Sequence, residues 1–135
     1  MNCQETNELK FETGENLPQV FIDVHQIEIV VENLLDNAIR YIKVKGEIKI
    51  RLEQRKETLY FEIEDTGVGI PKYDQKFIFQ KFFRSENAVR QQTQGSGLGL
   101  FIAKSIIEKL GGQIGFESEE NKGSKFWFVI PIFKK

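Results

Sequence analysis

Two asparagines interrupt a long apolar helical pattern: Asn33 and Asn37 are four residues apart and would share one face of a helix. Asparagine is a poor residue for a helix interior, and its carboxamide oxygen is the kind of ligand that Mg²⁺ accepts. Arg40 and Lys43 follow within two turns, where they could meet phosphate charge. A solvated helix face explains the same residues, so the spacing alone leaves both interpretations open.

A second candidate, Asp65–Gly69, directly follows an apolar strand pattern. Gly67 and Gly69 permit a tight turn and a close approach between a ligand and the backbone. The Asp65 carboxylate can accept a hydrogen bond from an exocyclic amine such as that of adenine. A plain turn after a strand is the alternative, and the segment taken alone favours that simpler interpretation.

A glycine-rich segment, Gly95–Leu100, leads into a second helical pattern, and free backbone N–H groups at a helix start bind phosphate well. It is not a Walker loop, because no Gly-Lys-Ser/Thr follows. It is not a Rossmann fingerprint either, because the polar residues 90–94 stand where an apolar strand would be needed. Residues 84–97 are polar, with Ala88 and Val89 as their only aliphatic side chains, which predicts a mobile loop.

Periodicity predicts the elements that would position these groups. Apolar residues at steps of three and four predict a long helix that opens at Asp23 and ends before Gly46. The other predicted elements are an edge strand at 7–12, a hairpin through 48–52 and 59–63, a short aromatic-rich helix at 74–83, a helix at 98–110 stopped by Gly111-Gly112, and a strand pair at 113–118 and 124–132. Apolar side chains on both faces of the last strand place it inside the sheet. This order predicts a two-layer α/β sandwich, in which a mixed sheet of about five strands is covered on one face by about three helices.

Composition fits a single domain across residues 1–135, long enough to form its own core. Nineteen basic and 20 acidic residues give a net charge of −1, which argues against a nucleic-acid binder. The single cysteine and the single histidine, Cys3 and His25, exclude an internal disulfide and an ordinary zinc site. Because no apolar run approaches about 20 residues and the polar start is no secretory signal, we expect a soluble cytoplasmic domain without direct membrane insertion.

These segments occur together in one order, and in that order the chain resembles the catalytic and ATP-binding domain of sensor histidine kinases, over about residues 10–132. That domain belongs to a wider ATPase group with type II topoisomerases, large heat-shock chaperones and mismatch-repair ATPases. The matching motifs are Glu32–Tyr41 for the asparagine box, Asp65–Gly69 for the first glycine box, Phe77–Arg84 for the phenylalanine box, Gly95–Leu100 for the second glycine box and Gly123–Phe126 for the short last one. Ser124 stands where the family more often has threonine.

The resemblance implies that the chain binds ATP or ADP with Mg²⁺. Asn37 would hold the metal, and the catalytic candidates would be Asn33, close to the phosphates, and Arg84, which would assist the transferring phosphate. Asp65 would accept a hydrogen bond from the adenine amine, and residues 84–97 would form a lid over ATP. The other nucleotide-binding candidates are Tyr41 on the adenine ring, Arg40 and Lys43 near phosphate, and Gly67, Gly69, Ile70, Gly95, Gly97, Leu98, Gly99, Leu100 and Ser124. The phenylalanines of the aromatic segment would mainly pack in the core.

The phospho-accepting histidine of the family is missing from the sequence. The family places an acidic residue directly after that histidine and a proline a few positions on, whereas Gln26, Ile27 and Glu28 follow His25. The chain is therefore expected to be a piece of a larger kinase or to act in trans. Its partners would be a histidine-containing dimerisation domain and, downstream, a response regulator. The isolated domain is expected to be monomeric, and anchorage of a parent kinase in the inner membrane stays open.

Two other functions share parts of this pattern. An anti-sigma-type serine kinase would use the same ATP fold, and a nucleotide-dependent binding module would close its lid without transferring phosphate. The phenylalanine box and Gly95–Leu100 favour the histidine kinase. Related ATPases that hydrolyse ATP carry a glutamate four residues before the metal-binding asparagine, and this chain has Asn33 there, so little hydrolysis is expected.

Overall fold

A five-stranded mixed sheet is the main element of this protein, for which a computed structural model describes residues 8–13, 24–41, 46–81 and 99–131. The strands are β1 (Glu8–Thr13), β2 (Glu47–Arg55), β3 (Thr58–Asp65), β4 (Gln113–Glu119) and β5 (Gly123–Pro131). Helix α1 spans Val24–Tyr41, helix α2 spans Gly99–Lys109, and a 3₁₀ helix spans Lys72–Phe77. None of the helices in these ranges is both long and apolar enough to cross a membrane.

The strand order is β1-β2-β3-β5-β4, with β1 parallel to β2 and the other pairs antiparallel. Strand β5 therefore has a neighbour on each side, as its two apolar faces predicted, and β3 lies at the centre. The register places Asp65, the last residue of β3, opposite Ile48 of β2 and Ser124 of β5. The predicted mixed sheet is confirmed.

Helices α1 and α2 pack against each other and on one face of the sheet. In α1, Val30, Leu34 and Ala38 recur every fourth residue and are at most 2% exposed, so this stripe is the buried side of an amphipathic helix. Helix α2 adds Ala103 and Ile107, both fully buried. The sheet contributes Ile48, Ile50, Phe61, Ile63, Phe126, Phe128 and Ile130 to the same core. The two-layer α/β sandwich is confirmed.

Helix α2 ends in a Schellman motif, which explains why two glycines stop it. Gly111 has a left-handed backbone with φ of 84°, and its N–H donates to the Glu108 carbonyl at 3.0 Å. The N–H of Gly112 donates to the Ile107 carbonyl at 2.9 Å. The predicted N-cap of α1, Asp23, lies outside the described residues.

The aromatic segment differs from its prediction. A helix over 74–83 was expected, but the chain forms a 3₁₀ helix at Lys72–Phe77 and then turns as far as Lys81. Pro71 precedes it, and the Asp74 N–H donates to the Pro71 carbonyl at 2.9 Å, which closes a four-residue turn. Such tight helices occur in short pieces, so a short helix is present, but it starts earlier, ends at Phe77 and has 3₁₀ geometry.

Phe79 of this segment packs into the core, as expected for the phenylalanine box. Its ring meets Phe116 and Phe126 edge-on, with centroid distances of 5.9 and 6.4 Å. Phe116 and Phe126 stack on each other at 5.7 Å. Aromatic pairs in these geometries add to the burial of their surface, so the segment after the 3₁₀ helix is fixed to β4 and β5.

The sheet face opposite the helices is covered by its own long side chains. Arg55 lies over the Tyr60 ring at 3.7 Å from the centroid, and Tyr60 donates a hydrogen bond to Glu62. Burial, and after it the bond to Glu62, raises the pKa of Tyr60. The Trp127 indole lies against Gly115, where a Cβ would clash with it. The contact with Gly115 gives Trp127 a packing partner on this second face of β5.

Candidate functional site

Asp65 lies at the end of the central strand, on the face that the helices cover. It is 5% exposed, and its Oδ1 accepts a hydrogen bond from the Gly67 N–H at 2.8 Å. Its register partner Ser124 is 8% exposed. A shallow groove of about 350 Å³ touches these residues too, but Glu64, Glu117 and Lys125 in its lining belong to the next register row, which points to the opposite face of the sheet. The predicted adenine acceptor is therefore a buried carboxylate on the helix-covered face, and this groove is not its opening.

Burial raises the pKa of Asp65 to about 6, and the N–H groups of Gly67 and Ser124 offset only part of this effect. At pH 7 a carboxylate with this pKa is about nine-tenths ionised. The Asp65 carboxylate is thus a buried negative charge, and its hydrogen-bond donors do not fully compensate for its burial. A ligand that brings an N–H donor to this carboxylate would regain part of the free energy that burial costs.

The loop after Asp65 is anchored to β2 and to the β4–β5 turn. Thr66 exchanges two hydrogen bonds with Glu47: its N–H donates to the Glu47 carbonyl at 3.1 Å, and its Oγ1 accepts from the Glu47 N–H at 2.8 Å. The Val68 carbonyl accepts from the Asn121 N–H at 2.7 Å. The loop is therefore held by the scaffold on both sides of Gly67.

Gly69 is required by the protein's own packing. Its backbone is left-handed, with φ of 68°, and a Cβ on it would clash with the Glu119 carbonyl oxygen. An L side chain is strained in this conformation. The sequence predicted that Gly69 gives the adenine room to enter; the contact with Glu119 is a separate reason for glycine, and the role toward the base stays a prediction.

Ser118 and Gln75 were not selected from the sequence, yet they hold this loop. Ser118 Oγ accepts from the Ile70 N–H at 2.8 Å, donates to the Gly123 carbonyl at 3.0 Å and lies 2.7 Å from Ser124 Oγ. The Gln75 amide donates to the carbonyls of Ile70 and Ser118, each at 3.0 Å. The signal that could have found Ser118 is the hairpin register, which pairs it with Ser124.

A second part of the site forms where α1 meets the start of α2. Asn33 is half-buried, and a Cβ on Gly99 would lie 3.4 Å from Asn33 Oδ1. Gly99 is the first residue of α2, whose first turn carries backbone N–H groups without helical partners. The structure therefore brings together Asn33 and Gly99, which the sequence assigned to the phosphates.

Asn37 is half-buried one turn after Asn33 in α1. Mg²⁺ commonly takes one or two protein oxygen ligands and completes its shell with phosphate oxygens and water. A single carboxamide beside the phosphate candidates fits that donor set. In the ranges that the structure describes, no three His, Cys, Asp or Glu side chains form a group that could hold a metal on its own.

The structure describes only some of the remaining predicted site residues. Ile70 and Leu100 are half-buried and pack against the core. Arg40 and Tyr41 lie in the last turn of α1, but their side chains are outside the described part of the chain. Outside the described residues altogether lie Lys43, Arg84, Gly95, Gly97, Leu98 and the proposed lid at 84–97.

Comparison with known proteins agrees with this geometry. Residues 22–134 match the family described as "Histidine kinase-, DNA gyrase B-, and HSP90-like ATPase". Over 92% of its length the chain is 36% identical to the alginate biosynthesis sensor protein KinB of Pseudomonas aeruginosa, and over 81% it is 41% identical to the signal transduction histidine-protein kinase ArlS of Staphylococcus haemolyticus. It spans only 20% and 24% of these two relatives.

Solved structures give the same result. The mycobacterial sensor histidine kinase MprB superposes with a TM-score of 0.83 at 30% identity, covering 96% of this chain and 86% of that one. The catalytic domain of histidine kinase ThkA gives 0.80 at 36% identity, covering 94% and 80%. Full-length ShkA in complex with AMPPNP gives 0.80 at 25% identity, covering 96% and 26%. The chain therefore belongs to the histidine kinase-, DNA gyrase B- and HSP90-like ATPase family, and its relatives are sensor histidine kinases.

Proposed function

We propose that this chain binds ATP with Mg²⁺ and donates the γ-phosphate to a histidine on a separate dimerisation domain, in two-component signal transduction. The observation that carries the proposal is Asp65: a carboxylate 5% exposed, held by the Gly67 N–H at the end of the central strand. An acceptor of this kind is matched to the exocyclic amine of adenine. The family match and the sensor-kinase relatives support the same assignment.

The phosphates would lie at the junction of α1 and α2. The position of Asn33 supports this placement, because a Cβ on Gly99 would touch its carboxamide, which therefore lies near a helix N-terminus, where anions bind well. Asn37 would ligate Mg²⁺, which neutralises charge on the phosphates. Arg84 would act on the transferring phosphate, with Arg40 and Lys43 near the phosphate oxygens and Tyr41 on the adenine ring.

Phosphoryl transfer depends mainly on positioning and charge neutralisation. The half-buried asparagines and backbone N–H groups of this site suit that task, since neither group takes up a proton at neutral pH. The acceptor histidine would come from the dimerisation domain, and a response regulator would receive the phosphate from it. The chain spans 20% and 24% of the two sensor-kinase relatives named above, which leaves room for such a domain in a parent protein.

Residues 84–97 would form the lid over the bound nucleotide. Their polar composition offers few side chains for a core, so ordering them would draw on ligand contacts. Amide hydrogen exchange should be fast in this segment without nucleotide and slower with ATP and Mg²⁺. Full protection of these amides in the nucleotide-free protein would contradict the proposal.

Calorimetry with Asp65→Ala tests the adenine site. A charge-assisted hydrogen bond contributes about 1.5–3 kcal/mol, or roughly 10–150-fold in affinity. The chain should therefore bind ATP·Mg²⁺ more tightly than GTP·Mg²⁺, and Asp65→Ala should lose most of its adenine-nucleotide affinity. The matched control is Glu57→Ala, which removes an exposed carboxylate in the β2–β3 turn, at the opposite end of β3 from Asp65. Equal affinities of the unmodified chain for ATP and GTP would refute the proposal.

A further inference from the structure

The hydroxyl of Ser118 has three neighbours but only one proton. A serine hydroxyl can donate one hydrogen bond and accept two. At Ser118 Oγ the Ile70 N–H donates at 2.8 Å, the Gly123 carbonyl accepts at 3.0 Å, and Ser124 Oγ lies at 2.7 Å. All three contacts can be hydrogen bonds at once only if the Ser118 proton goes to the Gly123 carbonyl, which cannot donate, and the third contact takes its proton from the other side.

That donor is Ser124. With its proton directed at Ser118, Ser124 keeps lone pairs and has no proton for a ligand. Ser124 is the register partner of Asp65, and its backbone N–H interacts with the Asp65 carboxylate. The two side chains are both less than a tenth exposed. On the helix-covered face, Asp65 and Ser124 then present two acceptors and, from these two side chains, no donor.

We propose that Ser118 is a positioning residue for base selection, which takes up the Ser124 proton so that Ser124 offers the base an acceptor only. The inference rests on the proposed adenine site at Asp65 and deepens it. Two acceptors match an exocyclic amine, which carries two N–H groups. The same two acceptors disfavour a base with a carbonyl oxygen at that position, because neither the oxygen nor the protein acceptors would then have a hydrogen-bond donor.

A purely structural role of Ser118 makes a different prediction. Ser118 and Gln75 both hold the loop at Ile70. Removal of the Gln75 amide loosens the loop and leaves the Ser118–Ser124 pair intact, so all purine nucleotides should lose affinity in proportion. Removal of the Ser118 hydroxyl also frees the Ser124 proton, which can then be donated to a carbonyl oxygen. The ratio of two affinities therefore separates the two roles.

The experiment measures the affinities of the full chain for ATP and for ITP, both with Mg²⁺. In ITP a carbonyl oxygen replaces the amine and the neighbouring N1 carries a hydrogen. In Ser118→Ala the preference for ATP over ITP should fall about 5- to 10-fold. Ser118→Thr keeps the hydroxyl and should retain the preference within about 2-fold. Gln75→Ala should weaken both nucleotides equally. Thr58→Ala removes a hydroxyl that donates to the Arg55 carbonyl in the β2–β3 turn, and it should change neither affinity.

A double-mutant cycle keeps the test valid if Ser118→Ala also loosens the fold. In the Ser124→Ala background the Ser118 substitution should no longer change the ATP-to-ITP ratio, because the proton that it releases is gone. An unchanged ratio in Ser118→Ala, or an equal change in Ser118→Thr, overturns the inference while the adenine site stands. A chain that binds ITP as tightly as ATP overturns the adenine site and the inference with it.

Discussion

Ionising Asp65 costs the folded chain free energy, because burial raises its pKa from 3.8 to about 6. Between these pH values the folded state binds more protons than the unfolded state, so the free energy of unfolding falls as pH rises. The full shift corresponds to about 3 kcal/mol at neutral pH.

Asp65→Asn, which keeps the shape without the charge, should be more stable than the unmodified chain by about 1–3 kcal/mol at pH 8 and by about half as much at pH 5. Urea unfolding at the two pH values measures both differences, with Glu57→Gln, an exposed residue in the β2–β3 turn, as a control for net charge. If Asp65→Asn were less stable than the unmodified chain at pH 8, the inferred free-energy cost of burying the Asp65 charge would be contradicted.

The same pKa predicts how nucleotide affinity depends on pH. Only the ionised Asp65 has both oxygens free to accept, so adenine binding should weaken as pH falls through about 6. The expected loss between pH 7 and pH 5 is about 10-fold. Because the phosphates of ATP also titrate, the comparison is with Asp65→Asn, which should bind weakly with a pH profile set by the ligand alone. Parallel profiles for the two proteins, measured by calorimetry, would argue against a titrating Asp65 in the site.

At the scale of the elements, Gly69 connects the loop after β3 to the turn between β4 and β5. Gly69→Ala should destabilise the chain by about 2–4 kcal/mol, because it adds a clash with the Glu119 carbonyl to a left-handed backbone. Gly111 is the matched control. It is left-handed too, but a Cβ there would meet only Pro131 Cγ, at 3.6 Å, so Gly111→Ala should cost about 1 kcal/mol. Urea unfolding compares the two, and calorimetry should show weaker ATP binding only for Gly69→Ala. Equal costs would mean that the turn yields to the added methyl group.

Sequence periodicity predicted the elements but not the contacts between them. The stripe Val30, Leu34, Ala38 and the alternation of β3 each follow from a local repeat, so α1 and β3 were identified correctly. Local repeats carry no information on which side chains meet across the fold. Ser118 and Gln75 were missed for this reason, since their partners are 43 to 48 residues away or depend on the exact hairpin register. The bounds of the 3₁₀ helix were wrong because a hydrogen bond to the Pro71 carbonyl fixes its start, and the aromatic composition that predicted a short helix there does not show that bond.

On the scale of the whole molecule, the fold separates the proposed base site from the proposed phosphate site. Asp65 is the last residue of the central strand and accepts a hydrogen bond from the loop that follows it, whereas Asn33 and Gly99 lie where the two helices meet. Neither group contains a residue suited to accept the phosphate. His25 is in α1 with Asn37, about three helical turns or 18 Å along the axis, while transfer needs reacting atoms at about 3–3.5 Å.

The chain alone should therefore bind ATP without labelling itself or hydrolysing it appreciably. Hydrolysis needs a group that takes a proton from water, and the carboxamide of Asn33 is a very poor base. Glu32 cannot readily replace it, since its side chain is exposed and projects about 100° away around the helix. Incubation with γ-labelled ATP and Mg²⁺ should leave no acid-labile label on the protein. Addition of a dimerisation domain from the same parent should restore labelling, on the histidine of that domain. Label on His25, or phosphate release at about 1 s⁻¹ or faster, would show that the chain carries an acceptor or a base that its geometry does not provide.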